Sequence, residues 1–273
     1  MTQTIPTAPR KGAEPFLEKF RRFESEPQPP AWLLPFRKAG MARFAELGFP
    51  TVHDEDWRFT NVAPLAKLPF KPAVESVDDT AAKATLEKHI FATLPGSRLV
   101  FVNGHFKAVL SSVGRLPDGV KVASLAAALA TDSVFIEKQL GRFALTDDNS
   151  FAALNQAFFL DGGYVHIPAD QTVAEPIQLI FISTAKHNGD TIQPRNLIIA
   201  GAGSKATVIE SYLAADQAAY FTNAVTEIVA GDNAALEHVK FQDEALDAFH
   251  LATIAAQLGR ASNTGIHSFA LGA

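Results

Sequence analysis

Over the first third of the chain apolar positions recur at helical spacing, and beyond residue 98 they switch to the period of two expected of strands. Glu14 to Glu24 carries Phe16, Phe20 and Phe23 on one face. Trp32 to Leu47 repeats the pattern with Trp32, Phe36, Ala39 and Phe44, and Gly48 and Pro50 supply its stop. Aromatic stripes of this kind form core or docking surface far more often than ligand boxes. Asp78 to Thr93 is a third, weaker helix candidate.

Leu99 to Val102 and His105 to Leu110 flank Asn103-Gly104, a tight-turn signal. A helical interlude follows over Leu125 to Phe159. After Gly163 the chain reads as strands in near-continuous succession: YVHIP, IQLIFIS, NLIIA, ATVIESYL, FTNAVTEIVA, ALEHVKF, FHLATIAAQL and TGIHSFAL. Almost none of the links between them is long enough for a helix. Gly203, Gly231 and Gly259 are spaced 28 apart, each followed at the third position by a small residue (Ala206, Ala234, Ser262) and two places later by Val208, Leu236 and Thr264. Glycine at a strand-to-strand corner lets the chain turn without a side chain striking the rung below. Self-similarity at a fixed period argues for stacked rungs, each too thin to bury its apolar face alone. The predicted fold is mainly β, a right-handed parallel β-helix (solenoid) preceded by an N-terminal helical region. Residues 1–95 make up the helical, proline-rich region and 96–273 the β-helix core, with the short helical interlude at about 125–159.

Composition narrows the function classes. Of the 273 residues, 47% are hydrophobic and 19% charged, as in an ordinary globular protein. A net charge of −5 gives no basic field for nucleic acid or anionic lipid. Lys19, Arg21 and Arg22 read as the solvated face of a helix, since phosphate-backbone binding recruits many more cations. With no cysteine, disulfides, thiolate nucleophiles and cysteine-ligated clusters are excluded. No stretch approaches the roughly 20 apolar residues of a membrane span, and the opening MTQTIPTAPRKGAEPF lacks the apolar core of a secretory signal. The expected compartment is the cytoplasm.

Candidate chemistry is sparse. Gly201-Ala202-Gly203-Ser204-Lys205-Ala206 fits the G-x-G-x-x-A spacing of a dinucleotide-binding turn. That reading needs a helix next, and Thr207-Val208-Ile209-Glu210-Ser211-Tyr212 is β-branched and alternating instead. His53-Asp54-Glu55-Asp56 is the densest ligand-like cluster, but without a calcium loop's glycine turn it reads as an acidic helix start before Trp57. His238, His250 and His267 fall on successive strands and read as satisfied core or surface histidines, the face of His238 being undetermined by sequence. Glu210, Glu227 and Glu237 are strand carboxylates of the kind that line the grooves of β-helix polysaccharide-cleaving enzymes. A β-helix carbohydrate-active enzyme is therefore the alternative reading, weakened by the lack of a clustered Asp pair and of an aromatic platform. No nucleophile elbow, zinc helix or P-loop occurs, so no catalytic, cofactor-binding or metal-ligating residue is assigned.

Glu55-Asp56-Trp57-Arg58-Phe59-Thr60, preceded by Gly48-Phe49-Pro50, and Leu154-Asn155-Gln156-Ala157-Phe158, followed by Asp161-Gly162-Gly163-Tyr164-Val165-His166-Ile167-Pro168 and Pro176-Ile177, carry a family resemblance. With Val100-Phe101-Val102-Asn103-Gly104 as first strand, the chain resembles the SufB/SufD family of iron–sulfur cluster assembly scaffolds, SufD-type members most closely. The resemblance implies a non-catalytic subunit that pairs with SufB through its β-helix, each partner holding a copy of the ATPase SufC. The assembled complex handles the iron–sulfur cluster; no cofactor is expected in this chain, and a flavin, though compatible, has no locatable site. The lack of cysteine suits a SufD-type subunit. A homodimer through the β-helix is a further expectation; nucleic acid and membrane are not expected partners. The resemblance also implies further rungs and a C-terminal helical region that binds SufC, which are missing where the sequence stops at Phe269-Ala270-Leu271-Gly272-Ala273.

Overall fold

The computed structural model describes residues 12–25, 30–184 and 189–272; the opening residues 1–11, judged above to lack a secretory signal, lie outside them. Helix α1 (Glu14–Phe23) starts on a proline in its first turn and buries Phe16 and Phe20. Helix α2 (Leu33–Leu47) ends at Gly48, whose φ of 62° suits glycine. A 3₁₀ turn at Glu55–Trp57 and another at Leu65–Lys67 lead to the short strand β1 (Lys71–Pro72) and helix α3 (Thr80–Lys88). Strands β2 (Ser97–Val102) and β3 (His105–Phe106) form the expected antiparallel turn around Asn103-Gly104. The interlude comprises β4 (Lys121–Ser124), α4 (Leu125–Thr131), α5 (Ser133–Glu137) and α6 (Ser150–Phe158). Ser124 and Asn149 cap α4 and α6 by accepting from Ala127 N and Ala152 N.

Beyond α6 come β5 (Gly163–Ile167), β6 (Ile177–Ser183), β7 (Asp190–Ile192), β8 (Arg195–Ala200), β9 (Lys205–Ala214), β10 (Phe221–Ala230), β11 (Ala235–Asp243), β12 (Phe249–Leu258) and β13 (Asn263–Ala270). Successive long strands alternate between two sheets. One stacks β5, β8, β10 and β12 in parallel, and the other stacks β2, β6, β9, β11 and β13. Parallel neighbours reached by crossing to the opposite sheet and back define a β-solenoid, here of about three turns. The fold is mainly β with N-terminal helices, as the periodicity predicts.

The repeat is in a different register from the one the glycine spacing suggests. Ala235 pairs with Lys205 below and Asn263 above, so one turn is 30 residues and the next 28. The two extra residues lie in the corner between Leu213 and Phe221, whose counterparts are Asp243 and Phe249. Gly201, Gly231 and Gly259 are therefore the equivalent corners, not Gly203, and the small residues that follow are Ser204, Ala234 and Ser262. Ala206 aligns with Leu236 and Thr264 instead. At the true corners a Cβ would come within 2.5 Å of Ala169 N, 2.6 Å of Ala202 N and 2.6 Å of Asp232 N. Gly203, at φ 67°, occupies the left-handed site that Asn233 (φ 58°) and Ala261 (φ 55°) hold one and two turns later.

Even-numbered residues of β9, β10 and β11 point into the solenoid, where Val208, Ala224, Ile228 and Leu236 join Leu99, Val165, Leu179 and Ile198 in one core. Phe101, Phe181 and Tyr212 stack in register on consecutive turns, with ring centroids 4.8 and 5.0 Å apart. The helical region packs on the outside. α2 lies along α6 so closely that a Cβ on Gly40 would sit 2.8 Å from Ala153 O, and Phe16, Phe44, Phe70, Phe151 and Phe158 build a second core between them. Which side of the solenoid the N-terminal arm covers is decided here: it is docked on the α6 face.

Candidate functional site

Polar side chains enter the solenoid in the turns that carry β9 to β12. Glu210 on β9 is wholly buried and accepts from the Thr226 hydroxyl (2.7 Å), the Tyr212 hydroxyl (2.9 Å) and Nε2 of His238 (2.9 Å). Burial pushes its pKa up, but the charge of His238 and the hydrogen bonds from His238, Thr226 and Tyr212 outweigh it and hold the carboxyl below its ordinary value. The same contact with Glu210, added to burial, drives the Tyr212 hydroxyl well up. Next along β11, Lys240 lies over the Tyr212 ring and donates to Gln242 Oε1 at 3.4 Å. Burial lowers its pKa, partly offset by Glu210 and Glu244 on either side. Glu244 accepts from the Thr222 hydroxyl (2.8 Å) and from Nδ1 of His250 (2.6 Å). Two carboxylates, two imidazoles and one ammonium thus share a buried interior in which each is hydrogen-bonded.

A second polar assembly fastens the helical region to the outside of the solenoid. Arg195 and Glu227, both with side chains at 0% exposure, pair at 2.6 Å. Glu227 also accepts from the N–H groups of Gly141, Phe143 and Ala144, while Arg195 reaches Asn155 Oδ1 on α6 at 3.3 Å. Burial raises the Glu227 pKa, and Arg195 together with the N–H groups of Gly141 and Phe143 more than reverses that, leaving it lowered. Asn155 donates to Pro194 O and Asn223 O, each at 2.9 Å, so α6 is tied to two turns at once. Asp161 Oδ1 accepts from Gly162 N (2.8 Å) and from Ala126 N in the first turn of α4 (2.9 Å). Burial pushes its carboxyl up to about 6 in spite of those donors.

The sequence candidates fall into place around these assemblies. His238 is inside, fully buried, and His250 at the next corner is nearly so. His267 is exposed and contacts Glu237 at 3.1 Å on the outer face, so the three histidines form no column. Glu210 points inward, Glu227 toward the helices and Glu237 to solvent, so they do not converge on one groove. Three open surface grooves, beside Gly96 and Glu175, beside His89 and beside Trp57, are lined by none of the three. Gly201 and Gly203 precede strand β9, not a helix. Glu55–Trp57 is a 3₁₀ turn that begins at Asp54, which accepts from Thr51 N. Among the described residues no group of three or more His, Asp or Glu is placed to hold a metal ion. Lys19 donates to Phe70 O and Arg22 pairs with Glu18.

Three of the motif residues, Trp57, Gln156 and Gly163, make packing or tethering contacts. Trp57 packs on Phe151 of α6 at 5.2 Å, so the acidic-tryptophan segment closes the aromatic core, while Phe59 is 94% exposed. Gln156 donates to Phe36 O and joins α6 to α2. Gly163 leaves room for the Leu179 side chain. Sequence reasoning missed Arg195, Asn223, Thr226, Lys240 and Glu244. Their signal was the run of polar residues inside otherwise apolar alternating strands, which points inward only once the face is known.

Comparisons with known proteins bear on residues 23–273. The SufBD protein N-terminal region matches residues 23–179, and the SufBD core domain of the SUF system for FeS cluster assembly matches residues 181–273. An iron–sulfur cluster assembly SufBD family protein of Synechocystis is 32% identical over 246 residues, covering 87% of this chain and 53% of the relative. The iron–sulfur cluster assembly proteins SufD of Bacillus subtilis and Escherichia coli are 24% and 25% identical, covering 81% and 82% of this chain and 51% and 50% of their own lengths. The chain therefore spans about half the length of these curated relatives. Among the described residues no helix is long and apolar enough to cross a membrane. With the N-terminal region and the core matched in order along a β-solenoid, the chain belongs to the SufB/SufD family of iron–sulfur cluster assembly proteins.

Proposed function

We propose that this chain acts as a SufD-type scaffold subunit of SUF iron–sulfur cluster assembly, without catalytic activity of its own, in the cytoplasm. Its partners on this reading are a SufB-like subunit, met through the β-helix, and a SufC-like ATPase, both engaged by the protein of the relatives' full length. The iron–sulfur cluster is cargo of the assembled complex, and no resident cofactor is assigned to this chain. One observation carries the reading: two of the three strand carboxylates, Glu210 and Glu227, are buried in internal pairing instead of being turned to a groove. Glu210 and Glu227, the carboxylates a sugar-cleaving enzyme would turn to a groove, are buried in separate clusters, where Glu210 accepts three hydrogen bonds and Glu227 four. That favours a rigid framework over an acid/base site. A cysteine-free sequence supports the SufD-type side of the family, because nothing in this chain can receive sulfur as a thiolate.

The test is co-purification of the tagged protein with SufB and SufC homologues from the same genome. Recovery of both supports the assignment, and failure of both to co-purify sinks it.

A further inference from the structure

The interior cluster has an unbalanced charge count. Glu210 and Glu244 carry two negative charges when ionised, and Lys240 supplies one positive charge. His238 and His250 are the remaining titratable groups facing them from β11 and β12; from β9 and the following corner come Tyr212 and Tyr220, from β10 only the hydroxyls of Thr222 and Thr226, and from β11 the amide of Gln242. β13 adds no charge inside, since His267 and Glu237 pair on the outer face. A buried net charge is costly, so one proton on an imidazole–carboxylate pair is favoured. An opposing force is equally visible: the far ring nitrogens, Nδ1 of His238 and Nε2 of His250, are buried without a hydrogen-bond partner. An added proton must leave an N–H unpaired at one of them.

Each imidazole is also tied to the turn below, His238 directly and His250 through Glu244. His238 reaches down from β11 to Glu210 on β9, and Glu210 holds Thr226 of the facing sheet. His250 on β12 reaches Glu244, which holds Thr222 on β10 below. We propose that this cluster is a proton-linked latch: β11 and β12 are fastened to the turn beneath them while one exchangeable proton balances the interior charge, and loosen when that proton leaves.

Amide hydrogen exchange on the whole chain at pH 6 and pH 8, bracketing the ordinary imidazole range, tests it. After correction for intrinsic exchange, peptides from residues 235–258 open at least about threefold more at pH 8, while peptides from 195–200 do not change. Glu210→Gln and Glu244→Gln each balance the interior without a proton, so each variant loses the pH dependence. Equal opening of the unmodified protein at both pH values overturns the proposal, as does a pH dependence that survives in either glutamine variant. Where a variant does not fold, imidazole NMR of the unmodified protein decides. Titration of His238 or His250 in step with the amide shifts of β12 supports the latch, and imidazoles that keep one state from pH 6 to pH 8 overturn it.

Discussion

Arg195 Nη2 donates to Glu227 Oε1 at 2.6 Å in a site that water does not reach, and three backbone N–H groups of the interlude converge on the same carboxylate. The pair therefore does two jobs. It neutralises a guanidinium that the α6 face has buried, and it anchors residues 141–144 to the third turn of the solenoid.

Removing one partner strands the other. Glu227→Gln is expected to lower stability by about 3–5 kcal/mol, because Arg195 remains buried and uncompensated. The double change Arg195→Met with Glu227→Gln recovers much of that loss. Urea unfolding of the four proteins gives the coupling, and additive losses would contradict it. Because the folded Glu227 pKa is lowered, its stabilising share is complete above the unfolded-state value of 4.5 and is lost as pH falls through the folded value.

Asp161 behaves in the opposite sense. Its folded carboxyl titrates at about 6 against 3.8 unfolded, so its penalty is absent below 3.8, grows as pH rises to about 6 and is complete above. Asp161→Asn keeps an oxygen for Ala126 N and Gly162 N but drops the charge. At pH 7.5 the variant should equal or exceed the parent in stability, by up to about 3 kcal/mol, and the advantage should vanish by pH 4. A difference that stays constant with pH, read from thermal melts in the two buffers, would refute the assignment.

The register correction makes its own forecast. Gly231→Ala places a methyl 2.6 Å from the Ala202 backbone and should cost about 3 kcal/mol or more. Gly203→Asn, at a site whose equivalents are Asn233 and Ala261, should cost about 1 kcal/mol or less. If both variants melt at the same temperature, the 30-then-28 spacing is wrong.

Docking of the arm rests on contact at Gly40. Gly40→Leu has no space beside Ala153 O and Gln156, so α1 and α2 should lift from α6 while the solenoid keeps its strands. Limited proteolysis would then cut between residues 12 and 70 at least about tenfold faster, with the β signal in circular dichroism preserved. Unchanged cleavage would mean that the arm is held elsewhere.

Much of this architecture was readable in advance. The face of α1, the Asn103-Gly104 turn and every long strand after Gly163 followed from spacing, because hydrophobic period and turn chemistry are local properties. The face of α2 did not: Ala39 is exposed and Trp32 and Phe36 are half-buried, while Leu33, Arg37, Gly40, Met41 and Phe44 are the residues it buries. The three-residue β7 escaped, being too short to show a period. The repeat was recognised but mis-registered. Gly203 and Gly231 happen to lie 28 apart while the turn between them has 30 residues, and a two-residue insertion in a corner leaves no mark in the strands on either side.

What the sequence determined, then, was that strands would follow one another with glycine corners, that helices would precede them, and that no thiol chemistry would take part. It did not determine which face of each strand looks inward. β11 offers Glu237, Val239 and Phe241 on one side and Leu236, His238, Lys240 and Gln242 on the other, and the more apolar-looking side faces out. Only the coiled structure decides this, because Phe241 is covered by His89 and Phe91 beside α3, whereas His238 and Lys240 find their counter-charges on strands 28 residues or more away and in the corner after β11. Burial of a charge is settled by its partners, and partners brought together by coiling are invisible to any window along the chain.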